Sequence, residues 1–138
     1  MDDNQQSSAE SAIRNLIARL AHLADGNDVD EYMAQFTDDA VWIHPTLGTR
    51  TGWDDILAGA RERRAAAGQG EGSHARHIIT TQWVRLEGAD EAFSQTYWIL
   101  LLASSPPEVL HTGRYDDTVR HTPDGWKLAR RDIVLDVN

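Results

Sequence analysis

Residues 74–81, HARHIITT, place two histidines three positions apart at the mouth of a β-branched run. Imidazoles at such a place serve as surface polarity, as metal ligands or in proton transfer. A neutral imidazole is the side chain best matched to accepting a proton near neutral pH. On a strand, residues three apart point to opposite faces, and no third ligand stands at metal-binding spacing. His74 therefore reads as a strand-edge surface residue, with no metal expected, and His77 is left to be weighed as a base. Alternation from His77 puts Ala75, Ile79, Thr81 and Trp83 on its face and Arg76, Ile78, Thr80, Gln82 and Val84 on the other. Both sets are partly apolar, so the period alone does not say which face meets a pocket.

The elements that must hold these residues can be read from period and punctuation. Ser7 with Glu10 makes a capping-box pattern, and Ile13, Leu16, Ile17, Leu20, Leu23 and Ala24 recur at helical spacing up to a stop at Gly26. Residues 1–8 are expected to form a flexible arm ahead of that helix. Asn27 or Asp28 caps a short second helix with Val29, Tyr32, Met33 and Phe36 inward. The run AVWIHP, residues 40–45, reads as a strand ended by proline. WDDILAGARERRAAAG reads as a third helix, with Ile56, Leu57 and Ala60 inward and its arginines in solvent, and AGQGEGSH as a flexible loop. Four long β segments follow, 75–86, 90–103, 108–121 and 125–136, joined by EGAD, SSPP and TPDG. Tight connections predict antiparallel pairing, and helices followed by a meander predict an α+β domain whose curved sheet packs on helices and leaves a cavity at its open end.

Composition narrows the function classes. The 138 residues suit a single domain, and the composition, 41% hydrophobic and 25% charged, is that of a globular protein. A net charge of −9 without a basic stripe argues against a nucleic-acid partner. No apolar run approaches the roughly 20 residues of a membrane span, and the polar start carries no signal-peptide pattern, so a cytoplasmic protein is expected. The absence of cysteine excludes disulfides, thiolate metal sites and a cysteine nucleophile. There is no phosphate-cradling glycine loop, nucleophile elbow or dinucleotide fingerprint, so no cofactor is expected.

Three blocks carry a resemblance across nearly the whole chain, about residues 12–136: LADGNDVDEYMAQFTDDAVW, RHIITT and GRYDDTVRHTPDGWKLARRDIVLD. The order of parts resembles the SnoaL-like branch of the nuclear transport factor 2 superfamily. That resemblance implies a cone-shaped α+β barrel, with helices packed on a strongly curved antiparallel sheet. Its members include scytalone dehydratase, polyketide cyclases, a dehydrochlorinase, steroid isomerases, limonene epoxide hydrolase and the non-catalytic β subunits of ring-hydroxylating dioxygenases. Fold alone therefore does not choose the reaction.

In the dehydratase-like members a histidine on the first long strand pairs with an aspartate just after the first helix, and the matching positions are His77 and Asp25. On an ideal helix Asp25 lies roughly 130° from the centre of the apolar stripe, so the chain must leave the helix at Gly26 for the carboxylate to reach a pocket. The resemblance makes Trp42 a pocket aromatic, although a core tryptophan at that position is at least as natural. It also marks two departures. An asparagine often stands four residues beyond the histidine, where this chain has Thr81. A tyrosine or lysine often stands five residues before the aspartate, where this chain has Leu20. Tyr97, His111, Tyr115 and Tyr32 are the candidate replacements for that donor, with His111, Gly113 and Tyr115 on one strand face. Asp116, Asp117, Arg130, Arg131 and Asp132 read as pairs across antiparallel strands. Arg120 is a lesser candidate for a pocket cation, its strand parity differing from that of His111.

The reading that results is a cofactor-independent enzyme for a small apolar cyclic or polyketide-like molecule. His77 abstracts a proton beside an activating group and Asp25 orients it, giving a dehydratase-type lyase, an isomerase or a cyclase. The rival reading is a non-catalytic binding or assembly subunit; an epoxide hydrolase ranks below both, for want of two carboxylates and an arginine converging on water. A His77–Asp25 separation within about 3.2 Å, opening onto several hundred Å³ of cavity, separates enzyme from module. The resemblance also implies a homodimer or homotrimer.

Overall fold

A computed structural model describes residues 1–137. Three helices, α1 (Asp3–Asp25), α2 (Val29–Met33) and α3 (Trp53–Ala65), pack on six strands, β1 (Phe36–His44), β2 (Gly48–Thr51), β3 (Ala75–Leu86), β4 (Glu91–Leu102), β5 (Glu108–Thr122) and β6 (Gly125–Leu135). The sheet is curled and unclosed, ordered β2-β1-β6-β5-β4-β3, and this is the expected α+β cone. The four long strands form the antiparallel meander read from the turns. The sheet as a whole is mixed, because β1 runs parallel to β6.

Several expectations are corrected at the level of elements. The helix begins at Asp3, where Asp2 and Gln5 close a reciprocal capping box, so most of the expected arm is helical and Ser7 and Glu10 lie inside α1. Phe36 opens β1 rather than closing the second helix, and β2 pairs with β1 through a turn the sequence reading did not separate. The glycine-rich segment is not a free loop. Gly70 N–H donates to Ala24 O at 3.2 Å, Glu71 N–H donates to Asn27 Oδ1 at 3.2 Å, and Glu71–Ser73 form a 3-10 turn. These bonds tie the entry of β3 to the exit of α1.

The core lies between α1 and the inner face of the sheet. Ile13, Leu16, Ile17, Leu20 and Leu23 of α1 meet Met33, Phe36, Ala40, Ile56, Val119 and Leu128. Arg64 of α3 donates to Leu23 O at 3.0 Å and Gly26 O at 3.2 Å, satisfying carbonyls that the end of α1 leaves without helical partners. Gly113 pairs with Trp98 across β4 and β5, and a Cβ there would sit 2.6 Å from Trp98 Cζ2. Glycine lets the indole lie flat over the strand and stack on Tyr115, ring centroids 5.5 Å apart.

Candidate active site

Asp25 is the last residue of α1, and Gly26 leaves the helix in an extended conformation. The carboxylate accepts a hydrogen bond from His77 Nδ1 at 2.7 Å. It also accepts the His77 backbone N–H, at 3.0 Å to Oδ1 and 3.1 Å to Oδ2. One carboxylate thus fixes both the backbone and the ring of a residue 52 positions away. Since the carboxylate only accepts, the ring proton of neutral His77 sits on Nδ1 and Nε2 carries a free lone pair. Both side chains keep about a fifth of their surface exposed, 17% for His77 and 21% for Asp25.

The dyad stands between two concavities. Asp25 and His77 line an open outer groove between α1 and β3, beside His22, Glu71 and His74. His77 alone of the two also lines an inner cavity of about 400 Å³. The walls of that cavity are Tyr32, Trp42, Trp98 and Tyr115, with Leu100 and Ile133, and its polar groups come from His44, Arg63, His111 and Arg131. A space of that size, with aromatic walls and few polar groups, suits a small cyclic molecule.

The partners of His44, Tyr115, Arg63 and Arg131 define their states and positions. His44 Nδ1 accepts the backbone N–H of Thr46 and of Leu47, both at 3.1 Å, so its proton lies on Nε2. Burial, then Arg63 and His111, hold its pKa below the ordinary imidazole value. Burial pushes the Tyr115 phenol far above its ordinary range, leaving a neutral O–H. Arg131 Nε and Nη2 donate to the two oxygens of the buried Asp117 at 2.9 and 3.0 Å. Burial opposes the charge on Arg131, but the Asp117 carboxylate more than offsets it and holds the guanidinium protonated. That cation lies 3.8 Å from the centroid of Tyr115. Arg63 lies 4.3 Å over the centroid of Trp42 and donates from Nε to Gln69 Oε1 at 2.7 Å.

Of the residues singled out in the sequence, His77, Trp42, Tyr32, His111 and Tyr115 line the cavity, His111 at its exposed rim, while Asp25 lines only the outer groove. Three others do not. Leu20 is buried in the core against the sheet, so it contacts neighbouring apolar side chains rather than the cavity. Tyr97 is 54% exposed on the outer face of β4, because the inner set there is Ala92, Ser94, Thr96 and Trp98. Thr81 is exposed because a bulge between Ile79 and Gln82 inserts a residue and reverses the alternation. The inner face of β3 therefore runs Ala75, His77, Ile79 and then Gln82, Val84 and Leu86, leaving Trp83 outside. Arg120 pairs with Asp39 at 2.9 Å, away from the cavity.

The sequence reading missed His44, Arg63 and Trp98 and gave Arg131 only its structural pair. Signals existed for two of them. His44 follows Trp42 at strand spacing, and Arg63 and Arg64 continue the inward face of Ile56 and Ala60 at helical spacing rather than lying in solvent.

The SnoaL-like domain family model matches residues 5–132. The chain belongs to the SnoaL-like family. No curated protein matches it. Among solved structures, this SnoaL-like chain is similar to an NTF2-like protein with a cystatin-like fold from Novosphingobium aromaticivorans, at 26% identity and TM-score 0.78, covering 93% of this chain and 82% of the other. It is similar to a proposed scytalone dehydratase from the same organism at 18% identity and TM-score 0.81, covering 99% and 89%. A third likeness is ActVI-ORFA from Streptomyces coelicolor, at 19% identity and TM-score 0.77, covering 91% and 96%. The last two show the shared fold. Among the described residues no helix is long and apolar enough to cross a membrane.

Proposed function

We propose that this SnoaL-like protein is a cofactor-independent acid/base enzyme acting on a small cyclic or polyketide-like substrate. One observation carries the reading: the ring bonded to Asp25 at 2.7 Å also lines an aromatic cavity of about 400 Å³. His77 Nε2 takes a proton from a carbon beside a carbonyl, and the C–H electron pair moves into an enolate. Asp25 keeps the Nδ1 proton in place and stabilises the imidazolium that forms. Departure of a β-substituent from the enolate makes the reaction a dehydratase-type elimination. Return of the proton to another carbon makes it an isomerisation, and attack by the enolate on a second carbonyl makes it a cyclisation.

The donor that polarises the carbonyl does not come from Leu20, which the core retains. His44, Tyr115, Tyr32 and His111 remain to supply it, the first two as neutral donors within the cavity. Open volume beside the dyad supports this reading over a non-catalytic binding or assembly subunit, in which side chains would fill that space. Two further parts of the reading rest on less. A homodimer or homotrimer is supported by Ile78, Trp83 and Tyr97, exposed on the outer face of the sheet. A cytoplasmic location is supported by a chain that uses no cysteine.

The reaction class is tested with 2-tetralone in deuterated buffer, following loss of its α-proton signals by NMR. The wild-type protein accelerates exchange, and His77→Gln lowers the rate by about 10²–10⁴-fold, the usual share of a positioned base. Asp25→Asn lowers it too, because the imidazolium loses its counter-charge. Equal rates for wild type and His77→Gln would remove the role assigned to the imidazole.

A further inference from the structure

The charged groups of the inner cavity are all cationic. Among the described residues no aspartate or glutamate lines it. Arg131 is neutralised by Asp117, both of whose oxygens it occupies. Arg63 is different. Its contacts are the face of Trp42, the amide oxygen of Gln69 and the Tyr32 hydroxyl, and among the described residues no carboxylate lies within ion-pair distance. Arg64 beside it also has no carboxylate, but it donates to the carbonyls of Leu23, Gly26 and Ala60 at the end of α1 and within α3, and it does not line the cavity. A partly buried cation without an anion is costly to keep, and the cost is recovered when a ligand supplies the anion.

A further donor points the same way. The neutral His44 holds its proton on Nε2, the nitrogen that Thr46 and Leu47 leave unbonded. With Arg63 it gives the cavity two donors for a ligand oxygen. Tyr32, Trp42, Trp98 and Tyr115 supply the flat apolar faces around these donors.

We infer that the cavity selects an aromatic or fused-ring acid, whose carboxylate is taken by Arg63 while His44 donates to a further oxygen. The inference rests on the reading that the cavity beside His77 is the substrate site, and it names the class of substrate. A carboxylate held by Arg63 fixes one end of the molecule within the chamber that His77 also lines.

The test is a paired titration of 2-naphthoate and its neutral isostere 2-naphthamide, read by quenching of tryptophan fluorescence, since Trp42 and Trp98 line the cavity. Wild type should bind the naphthoate about tenfold more tightly than the amide, the margin of a charge-assisted over a neutral hydrogen bond. Arg63→Met should abolish the preference, and Arg63→Lys should keep part of it. Arg120→Met, at a residue paired with Asp39 away from the cavity, should leave the preference intact. The inference is overturned if wild type fails to bind the naphthoate, if the amide binds equally well, or if the preference survives Arg63→Met. The wild-type comparison stands even if the methionine variant does not fold. Loss of 2-tetralone exchange with the acid preference intact would end the catalytic reading alone; exchange without the preference would end this inference alone.

Discussion

Asp25 accepts three hydrogen bonds from a single residue, and that concentration was not legible in helical phase, which places it off the apolar stripe of α1. The resemblance indicated the pair; the physical means is the exit at Gly26, which frees the last side chain of the helix to meet β3. His44 carries the pH dependence at this scale. Unfolded, it titrates near 6.5; folded, burial with Arg63 and His111 holds it lower. Between those values the unfolded chain binds the additional proton, so stability from His44 is complete above about pH 6.5 and falls as pH drops toward the folded pKa. The melting temperature of His44→Gln should therefore change less between about pH 7 and pH 5 than that of wild type. Parallel curves would contradict the assignment.

Helices and strands were legible where a period ran unbroken. Leu16, Leu20 and Leu23 mark α1, and the turns EGAD and TPDG mark the ends of β3 to β6. Legibility failed where one residue changes parity or partner. A single inserted residue in β3 sends Thr81 and Trp83 outward, and no residue type there announces it. The parallel contact of β1 with β6 joins segments nearly a chain apart, beyond the reach of any local signal. Packing between β4 and β5 is concentrated at Gly113, under Trp98. Gly113→Ala drives a methyl into that ring and into Val134 O, and should cost about 1–3 kcal/mol or more in urea unfolding. Unchanged stability would mean that Trp98 moves freely, and the stacked wall of the cavity would lose its basis.

At the scale of the whole molecule, the curled sheet divides the surface into two unlike faces. The inner face holds the core and the chamber; the outer face presents Ile78, Trp83 and Tyr97 to solvent among polar neighbours such as Gln95 and Asp116. Exposed apolar side chains of this size on one face support the proposed association. Light scattering should give two or three times the chain mass, and Trp83→Lys with Tyr97→Lys should give one, with 2-tetralone exchange retained because neither side chain lines the cavity. A wild-type monomer would contradict the association.

The account depends on which nitrogen of His77 is bare. Long-range proton–nitrogen NMR correlation on nitrogen-labelled protein reads this directly. The neutral ring should carry its proton on Nδ1, held by Asp25, with an unprotonated Nε2 that shifts when 2-naphthoate enters the cavity. A proton on Nε2, or a ring that exchanges tautomers as freely as a histidine in water, would contradict proton abstraction by this dyad.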